Sequence, residues 1–139
     1  MSIELAESDA QILDCFPVLF QLRPHLNPAT FLSQVRHQIQ IGYRLAFLQI
    51  DDRTVAIAGF RISHCLAYGK FLYIDDLVVD EAVRSQGYGQ QIFQWLIDYA
   101  RNHECEQLHL DSGVQRFQAH RFYFQQQMSI TSHHFALKL

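Results

Sequence analysis

Residues 71–100 read FLYIDDLVVDEAVRSQGYGQQIFQWLIDYA and carry the strongest structural signal in the chain. The first part, Phe71–Val79, is short and rich in β-branched and aromatic residues, which is typical of a strand covered on both faces. From Gly89 the apolar residues follow the spacing of a helix that buries one stripe, at Ile92, Phe93, Leu96, Ile97 and Ala100. The pattern therefore predicts a strand, a loop and a helix in succession.

The loop between this strand and helix contains Gly87 and Gly89, which lack Cβ atoms where the backbone must turn. The N–H groups in the first turn of a helix have no intrahelical acceptor, and together with the helix dipole they favour a bound phosphate. The alternative is a plain strand-to-helix turn without a ligand, which has the same pattern of two glycines between a strand and a helix. Ile92 occupies the position of the third glycine of a dinucleotide motif, and Gln90 follows Gly89 where a P-loop has lysine, so neither of those sites is indicated.

The loop, Arg84-Ser85-Gln86-Gly87-Tyr88-Gly89, resembles the R/Q-x-x-G-x-G/A motif of the GNAT superfamily of acyl-CoA-dependent N-acyltransferases. A second segment, Ala119–Tyr123, resembles the A-x-x-F/L-Y motif that the family carries on a later helix. The two motifs span roughly the C-terminal half of the chain. There are two departures, because Arg116 replaces a cofactor-contacting Asn and Met128-Ser129 replaces the usual Gly-Phe.

The resemblance implies acetyl-CoA as co-substrate, with its pyrophosphate on the loop and its pantetheine along the end of the preceding strand. It also implies that a backbone amide near Val78 stabilises the oxyanion. The implied cofactor-binding residues are Leu77, Val78, Val79, Arg84, Ser85, Gln86, Gly87, Tyr88, Gly89, Gln90, Arg116 and Tyr123.

Tyr123 matches the tyrosine that acts as general acid in the family. Direct attack on a thioester requires an uncharged amine, a stabilised oxyanion and a proton for the departing thiolate. A tyrosine pKa near 10 lies about 1.5 units above that of a typical thiol, so this proton transfer is uphill by roughly 2 kcal/mol in water. The alternative for Tyr123 is an aromatic ring packed on the sheet.

Asp75 and Asp76 are two adjacent carboxylates in an otherwise apolar strand. Neighbours on a regular strand point to opposite faces, so one carboxylate is expected in the acceptor cleft and the other toward solvent or a helix; a β-bulge would change this assignment. The resemblance implies that an acidic residue here receives the proton of the amine, directly or through water. The alternative is one structural hydrogen bond and one salt bridge.

The histidines and cysteines do not indicate a metal site. His133 and His134 are adjacent and would face opposite ways on a strand, and the three cysteines form no C-x-x-C pair. No metal is therefore expected. His134 is a candidate for base or substrate contact. Arg23 and His25 are polar groups for which the alternatives are a position facing the substrate and a solvated helix face, and the solvated face is favoured for each.

The composition favours one globular domain spanning residues 1–139. The chain has 49% hydrophobic residues and a formal net charge of −3, which argues against disorder and against a nucleic-acid partner. Unpaired cysteines, the absence of a signal peptide and the absence of a membrane span indicate a cytoplasmic protein without a membrane partner. A homodimer is compatible with such a sheet, whose edge strands are often covered.

The predicted fold is α/β, in the order β-α-α-β-β-β-α-β-α-β. The resemblance implies a GNAT fold: a mostly antiparallel mixed sheet of about six to seven strands with about four helices and a V-shaped splay between the two central strands. The predicted bounds include a helix capped by Ser8 or Asp9 with a kink or a break near Pro17, a helix from Asn27-Pro28 and a closing strand, Ser132–Leu139. The implied function is N-acetylation of a primary amine of a small molecule or peptide in a ternary complex. The alternative is a non-catalytic CoA-binding sensor or interaction module.

Overall fold

The computed structural model describes every residue from Met1 to Leu139 and contains one five-stranded sheet in the order β1-β2-β3-β4-β5. The strands are β1 Ser2–Leu5, β2 Tyr43–Ile50, β3 Arg53–Cys65, β4 Gly69–Val79 and β5 Gln107–Leu110. The helices are α1 Asp9–Leu22, α2 Phe31–Gln40, α3 Tyr88–Asn102 and α4 Phe117–Gln125, and a single 3-10 turn covers Glu81–Val83. Strands β1 to β4 pair antiparallel in sequence order. The chain divides into two compact units, Met1–His109 and Leu110–Leu139.

Local sequence signals account for most of the element boundaries. Ser8, one of the two expected caps, is the N-cap of α1 and forms a capping box with Gln11. The hairpin between β2 and β3 turns at Asp51 and Asp52, which both have positive φ, the requirement of a two-residue turn of this hand. None of the helices combines the length and apolar character needed to cross a membrane.

One alternative at Pro17 and one predicted helix start were wrong. Helix α1 is continuous through Pro17, so the break is not formed, because a proline inside a helix removes one hydrogen bond but does not have to end the helix when the flanking residues are buried. The kink stays a prediction. Helix α2 begins at Phe31 and not at Pro28. The Asn27 side chain accepts from the N–H of Ala29 and closes a separate turn before the helix.

The two faces of the sheet in the first unit are covered by different helices. On one face, Ile57 and Val78 belong to a buried cluster with residues of α1 and α2, including Ile12 and Phe31. On the other face, the ring of Phe60 lies 6.1 Å from that of Trp95 and 5.0 Å from that of Tyr99, both in α3. Because Ile57 and Phe60 are three positions apart on one strand, their side chains point to opposite faces.

The predicted closing strand, Ser132–Leu139, is not formed, so the sheet has five strands and not six to seven. The sequence there alternates polar and apolar residues like a strand, but Phe135, Leu137 and Leu139 are exposed. A strand requires a neighbouring backbone ladder in addition to a suitable pattern, and residues 129–139 make no such ladder. The remaining order of helices and strands agrees with the prediction.

Candidate active site

A β-bulge in β4 sets the orientation of both adjacent carboxylates. Gly59 and Phe60, consecutive in β3, pair with Asp76 and Ile74, which leaves Asp75 as the extra residue. Both carboxylates consequently line the pocket on the α1 and α2 side of the sheet. The expectation of opposite faces, which assumed a regular strand, was therefore wrong.

Asp76 is held by two side chains from other elements. Its Oδ1 accepts from Nε of Arg23 at 3.1 Å, and its Oδ2 accepts from the hydroxyl of Tyr43 at 2.8 Å. Tyr43 is buried, and burial, followed by the charge of Asp76, raises the pKa of this phenol well above its usual value of 10.0. The phenol is therefore protonated at neutral pH and donates its hydrogen bond to the carboxylate.

Gly59 makes room for the hydrogen bond between Tyr43 and Asp76. A Cβ at this position would lie 1.9 Å from the hydroxyl oxygen of Tyr43 and 2.7 Å from Oδ2 of Asp76. Both distances are far below van der Waals contact, so no larger residue fits without moving the pair. The sequence contains no pattern that marks Gly59 or Tyr43 for this role.

Asp75 is paired with a different arginine. Nε and Nη2 of Arg61 donate to its two carboxylate oxygens, each at 2.9 Å, and the guanidinium also lies 5.3 Å from the ring centre of Tyr73. The main-chain carbonyl of Asp75 accepts from Nη2 of Arg23 at 2.9 Å. Arg23, interpreted from sequence as part of a solvated surface, thus contacts both aspartates.

The pocket beside these carboxylates has a volume of about 330 Å³. Its apolar wall comes from the two N-terminal helices and the turn between them, at Leu19, Leu26, Phe31 and Val35. This volume is at the lower end of the range for small-molecule sites. The pocket is therefore suited to a small acceptor or to a single side chain of a larger one.

The backbone at the end of β4 has one edge without a strand partner. The N–H of Asp80 donates to the carbonyl of Val55 in β3. Along an antiparallel pair, successive N–H groups point alternately toward and away from the partner strand. The N–H of Val78 therefore points toward β3, and those of Leu77 and Val79 point away from it. On the other side, β5 begins opposite Lys70, whose carbonyl accepts from the N–H of Glu106, and four residues are too few to extend to Leu77. The unpaired edge agrees with the expected splay between β4 and β5. Of the amides near Val78, where an oxyanion donor was expected, those of Leu77 and Val79 are the ones that point to this edge.

The loop from Arg84 to Gly89 enters α3 through a left-handed residue. Gly87 is the N-cap, with φ 86° and ψ 4°, and nothing lies within 4 Å of the position that a Cβ would occupy. The first bond of the helix runs from the N–H of Gln91 to the carbonyl of Gly87, so the amides of Tyr88, Gly89 and Gln90 have no intrahelical acceptor. The loop therefore presents free amides beside open space, which suits a phosphate group.

Asp80 fixes the start of this loop and was not identified from the sequence. Its buried carboxylate accepts from the N–H of Ala82, from Gln21 in α1 and from Arg53 at the β2–β3 turn. The hydrogen bond from Ala82 is the largest cause of the lowered pKa of this carboxyl, and burial opposes it. An aspartate after a predicted strand is a usual N-cap signal. No sequence signal, however, marks Gln21 or Arg53 as its partners.

The second unit contains the remaining predicted site residues. Tyr123 lies in α4, and burial raises the pKa of its phenol above 10.0, with the charge of Arg116 opposing the shift. Arg116 is the N-cap residue of α4 and is exposed. His134 lies in the segment that forms no strand, with its Nδ1 3.4 Å from Oδ1 of Asp111. His134 thus has a carboxylate neighbour, but not the strand position from which its candidate role was argued.

Comparisons with known proteins agree with this arrangement. The model of the acetyltransferase (GNAT) family matches residues 12–128. A protein of Bacillus subtilis (strain 168) named as an uncharacterized N-acetyltransferase, YhdJ, is 31% identical over 111 residues, which cover 79% of this chain and 78% of that protein.

Solved structures share the fold at low sequence identity. AAC(6')-Iy, in complex with the bisubstrate analogue CoA-S-monomethyl-acetylneamine, has a TM-score of 0.87 at 12% identity, over 99% of this chain and 97% of that one. A ribosomal-protein-alanine N-acetyltransferase from Brucella melitensis biovar Abortus 2308 has a TM-score of 0.84 at 16% identity, over the whole of both chains. Together with the family match, these findings show that the chain belongs to the GNAT family of N-acetyltransferases.

Proposed function

We propose that this enzyme transfers an acetyl group from acetyl-CoA to a primary amine of a small molecule or peptide by direct attack in a ternary complex. Members of the family use an acyl-CoA, and AAC(6')-Iy has the same fold around a CoA-containing analogue. The observation that carries the proposal is the bulge that turns Asp75 and Asp76 toward one pocket.

In this proposal, the pyrophosphate binds to the free amides between Arg84 and Gln90. The pantetheine pairs with the open backbone edge of Leu77 and Val79, with Val78 between them facing β3. The N–H of Leu77 lies immediately after the bulge and is assigned to the oxyanion that forms when the thioester carbonyl is attacked. Arg116, where the family often has Asn, is assigned a cofactor contact by its position in the motif.

The proton transfers are assigned to three side chains. Asp75 and Asp76 accept the proton of the amine through water, because the oxygens of both carboxylates already accept hydrogen bonds from Arg23, Tyr43 and Arg61. Tyr123 protonates the departing thiolate. The raised pKa of Tyr123 keeps the proton available at neutral pH but makes its transfer to the thiolate more strongly uphill.

The experiment that tests this function is a calorimetric titration with acetyl-CoA, with desulfo-CoA and ATP as controls, followed by an assay of amine-dependent thiol release. Micromolar binding of acetyl-CoA but not of ATP, with thiol release that depends on an amine, is expected. A CoA complex that never releases thiol across a broad amine panel would instead indicate a CoA-binding sensor.

Gly87→Val provides the test of the loop. The position is open in the unliganded protein, so the side chain would fit there and obstruct only the phosphate, apart from strain due to positive φ. We expect a loss of acetyl-CoA affinity of about a hundredfold or more. Gly42→Val is a matched control, because Gly42 also has positive φ and open space but lies in the turn before β2, outside this loop. Equal affinities in the two variants would contradict the assignment.

A further inference from the structure

The two carboxylates beside the pocket, Asp75 and Asp76, already accept hydrogen bonds within the protein. Asp76 accepts from Arg23 and Tyr43, one bond on each oxygen, and both oxygens of Asp75 accept from Arg61. Two carboxylates are therefore balanced by two guanidinium groups within direct contact. A pocket with its negative charge compensated in this way has no excess attraction for a polycationic amine.

Hydrogen-bond donors in the same pocket remain available. Arg23 uses its Nε and Nη2 groups for Asp76 and for the carbonyl of Asp75, which leaves Nη1 without a protein acceptor. These two bonds hold the guanidinium in one orientation, and 43% of the side chain is still exposed. The side chains of His25, Gln34 and Gln38 line the pocket and make no hydrogen bond within the protein. A ligand that supplies acceptors therefore matches this set.

The rest of the pocket wall is apolar. Phe31 and Val35 are buried and Leu26 is half-buried, so an alkyl or aromatic group would contact apolar side chains in the same pocket as the polar groups. The volume of about 330 Å³ limits such a ligand to a small molecule. An ionised carboxylate beside an oriented guanidinium would form charge-assisted hydrogen bonds, which are the strongest available here.

We propose that the acceptor is a free amino acid with an apolar side chain, bound through its carboxylate to Arg23 and its amide and imidazole neighbours. This inference rests on the acetyl transfer proposed above. The neutral α-amine attacks the thioester carbonyl, a C–N bond forms and the C–S bond breaks. The thiolate leaves as free CoA after it gains a proton, the nitrogen loses one, and the products are an N-acetylamino acid and CoA.

L-Leucine and L-leucinamide are the probes, because they differ only in the carboxylate. The amine of leucinamide resembles a peptide α-amine and has a pKa of about 8, which is lower than the pKa of the amine in free leucine. At about pH 7.5, a larger fraction of leucinamide is therefore in the neutral, reactive form. A preference for leucine would thus oppose the bias from amine basicity. With kcat/KM expressed per neutral amine for both probes and for every variant, we expect its value with acetyl-CoA to be about tenfold or more higher for leucine, the size of one charge-assisted hydrogen bond.

Arg23→Gln and Arg23→Lys identify the source of the preference. Removal of Arg23 also unpairs Asp76, and an unpaired carboxylate would repel leucine more than leucinamide, so Arg23→Lys, which keeps a cation beside Asp76, is needed to separate this repulsion from loss of the direct contact. The readout is the ratio of the two kcat/KM values. The ratio should fall to about 1 in Arg23→Gln and be partly retained in Arg23→Lys, which keeps the charge.

The outcomes are distinct. A ratio that stays high in Arg23→Gln, or better turnover of leucinamide or spermidine than of leucine by the wild type, would overturn the inference and leave the acetyltransferase function standing. If none of the amines gave thiol release, both this inference and the proposed acetyl transfer would be wrong. Calorimetry would still show whether acetyl-CoA binds.

Discussion

Gly59→Ala tests whether the contact between Tyr43 and Asp76 depends on the missing side chain of Gly59. The new Cβ would lie 1.9 Å from the Tyr43 oxygen, whereas ordinary contact begins at 3.4 Å, so the hydroxyl must move by about 1.5 Å. Tyr43 is only 4% exposed, so the side chains packed against it limit its movement. The hydrogen bond of 2.8 Å to Asp76 is then lost.

The expected cost follows from these contacts. Overpacking costs about 1–3 kcal/mol, and loss of a hydrogen bond to a charged group costs about 1.5–3 kcal/mol, while the lower chain entropy of alanine offsets about 0.5–1 kcal/mol. The free energy of unfolding should therefore fall by about 2–4 kcal/mol. For a chain of this size, Tm should drop by roughly 6–15 °C.

The assay is thermal and denaturant unfolding, with Gly113→Ala as the matched control. A Cβ at Gly113 meets only the movable end of the Gln115 side chain, so this variant should remain within about 2 °C of the wild type. Tyr43→Phe and the double variant complete a cycle, and the two changes should be non-additive by about 1 kcal/mol or more because both remove the same hydrogen bond. An unchanged Tm in Gly59→Ala would refute the reasoning.

Three further predictions concern other parts of the chain. Tyr123→Phe should lower kcat by roughly tenfold to a thousandfold while acetyl-CoA affinity changes little, and equal losses in both, measured by kinetics and calorimetry, would count against its role as acid. Asp80→Asn should lower the free energy of unfolding at neutral pH by about 1–3 kcal/mol. Because the pKa of Asp80 is lowered in the folded state, its contribution to stability is complete above the ordinary value of 3.8 and is lost as pH falls through the depressed pKa. The unfolding free energies of variant and wild type, measured by urea titration, should therefore converge in acid, and a difference that stays constant with pH would contradict this origin. Burial raises the pKa of Cys15 to about 12, so iodoacetamide should label the half-exposed Cys65 first and Cys15 only after unfolding, as judged by peptide mass spectrometry; rapid labelling of Cys15 in the native protein would show that it is accessible.

The order of elements followed from local sequence signals. Hydrophobic periodicity located β4 and α3, two glycines located the loop between them, and Ser8 located the start of α1, because each of these signals acts within a few residues. The same signals were insufficient for residues 132–139. Alternation there describes a strand, but pairing depends on a neighbour that the local sequence does not specify.

The site depended on contacts between distant residues. The sequence identified Asp75 and Asp76 as unusual, but a bulge opposite Gly59 put both on one face, and Tyr43, Arg23 and Arg61 became their partners across separations of 14 to 53 residues. Likewise, the loop between β4 and α3 was predicted from its glycines, whereas its attachment through Asp80 to Gln21 and Arg53 was not. By itself, the sequence determined where the chain turns from β4 into α3 and so where consecutive amides lack intrahelical acceptors, since these signals are local. Only the tertiary structure decided which side chains compensate the carboxylates, since charge pairing depends on distances that folding alone creates.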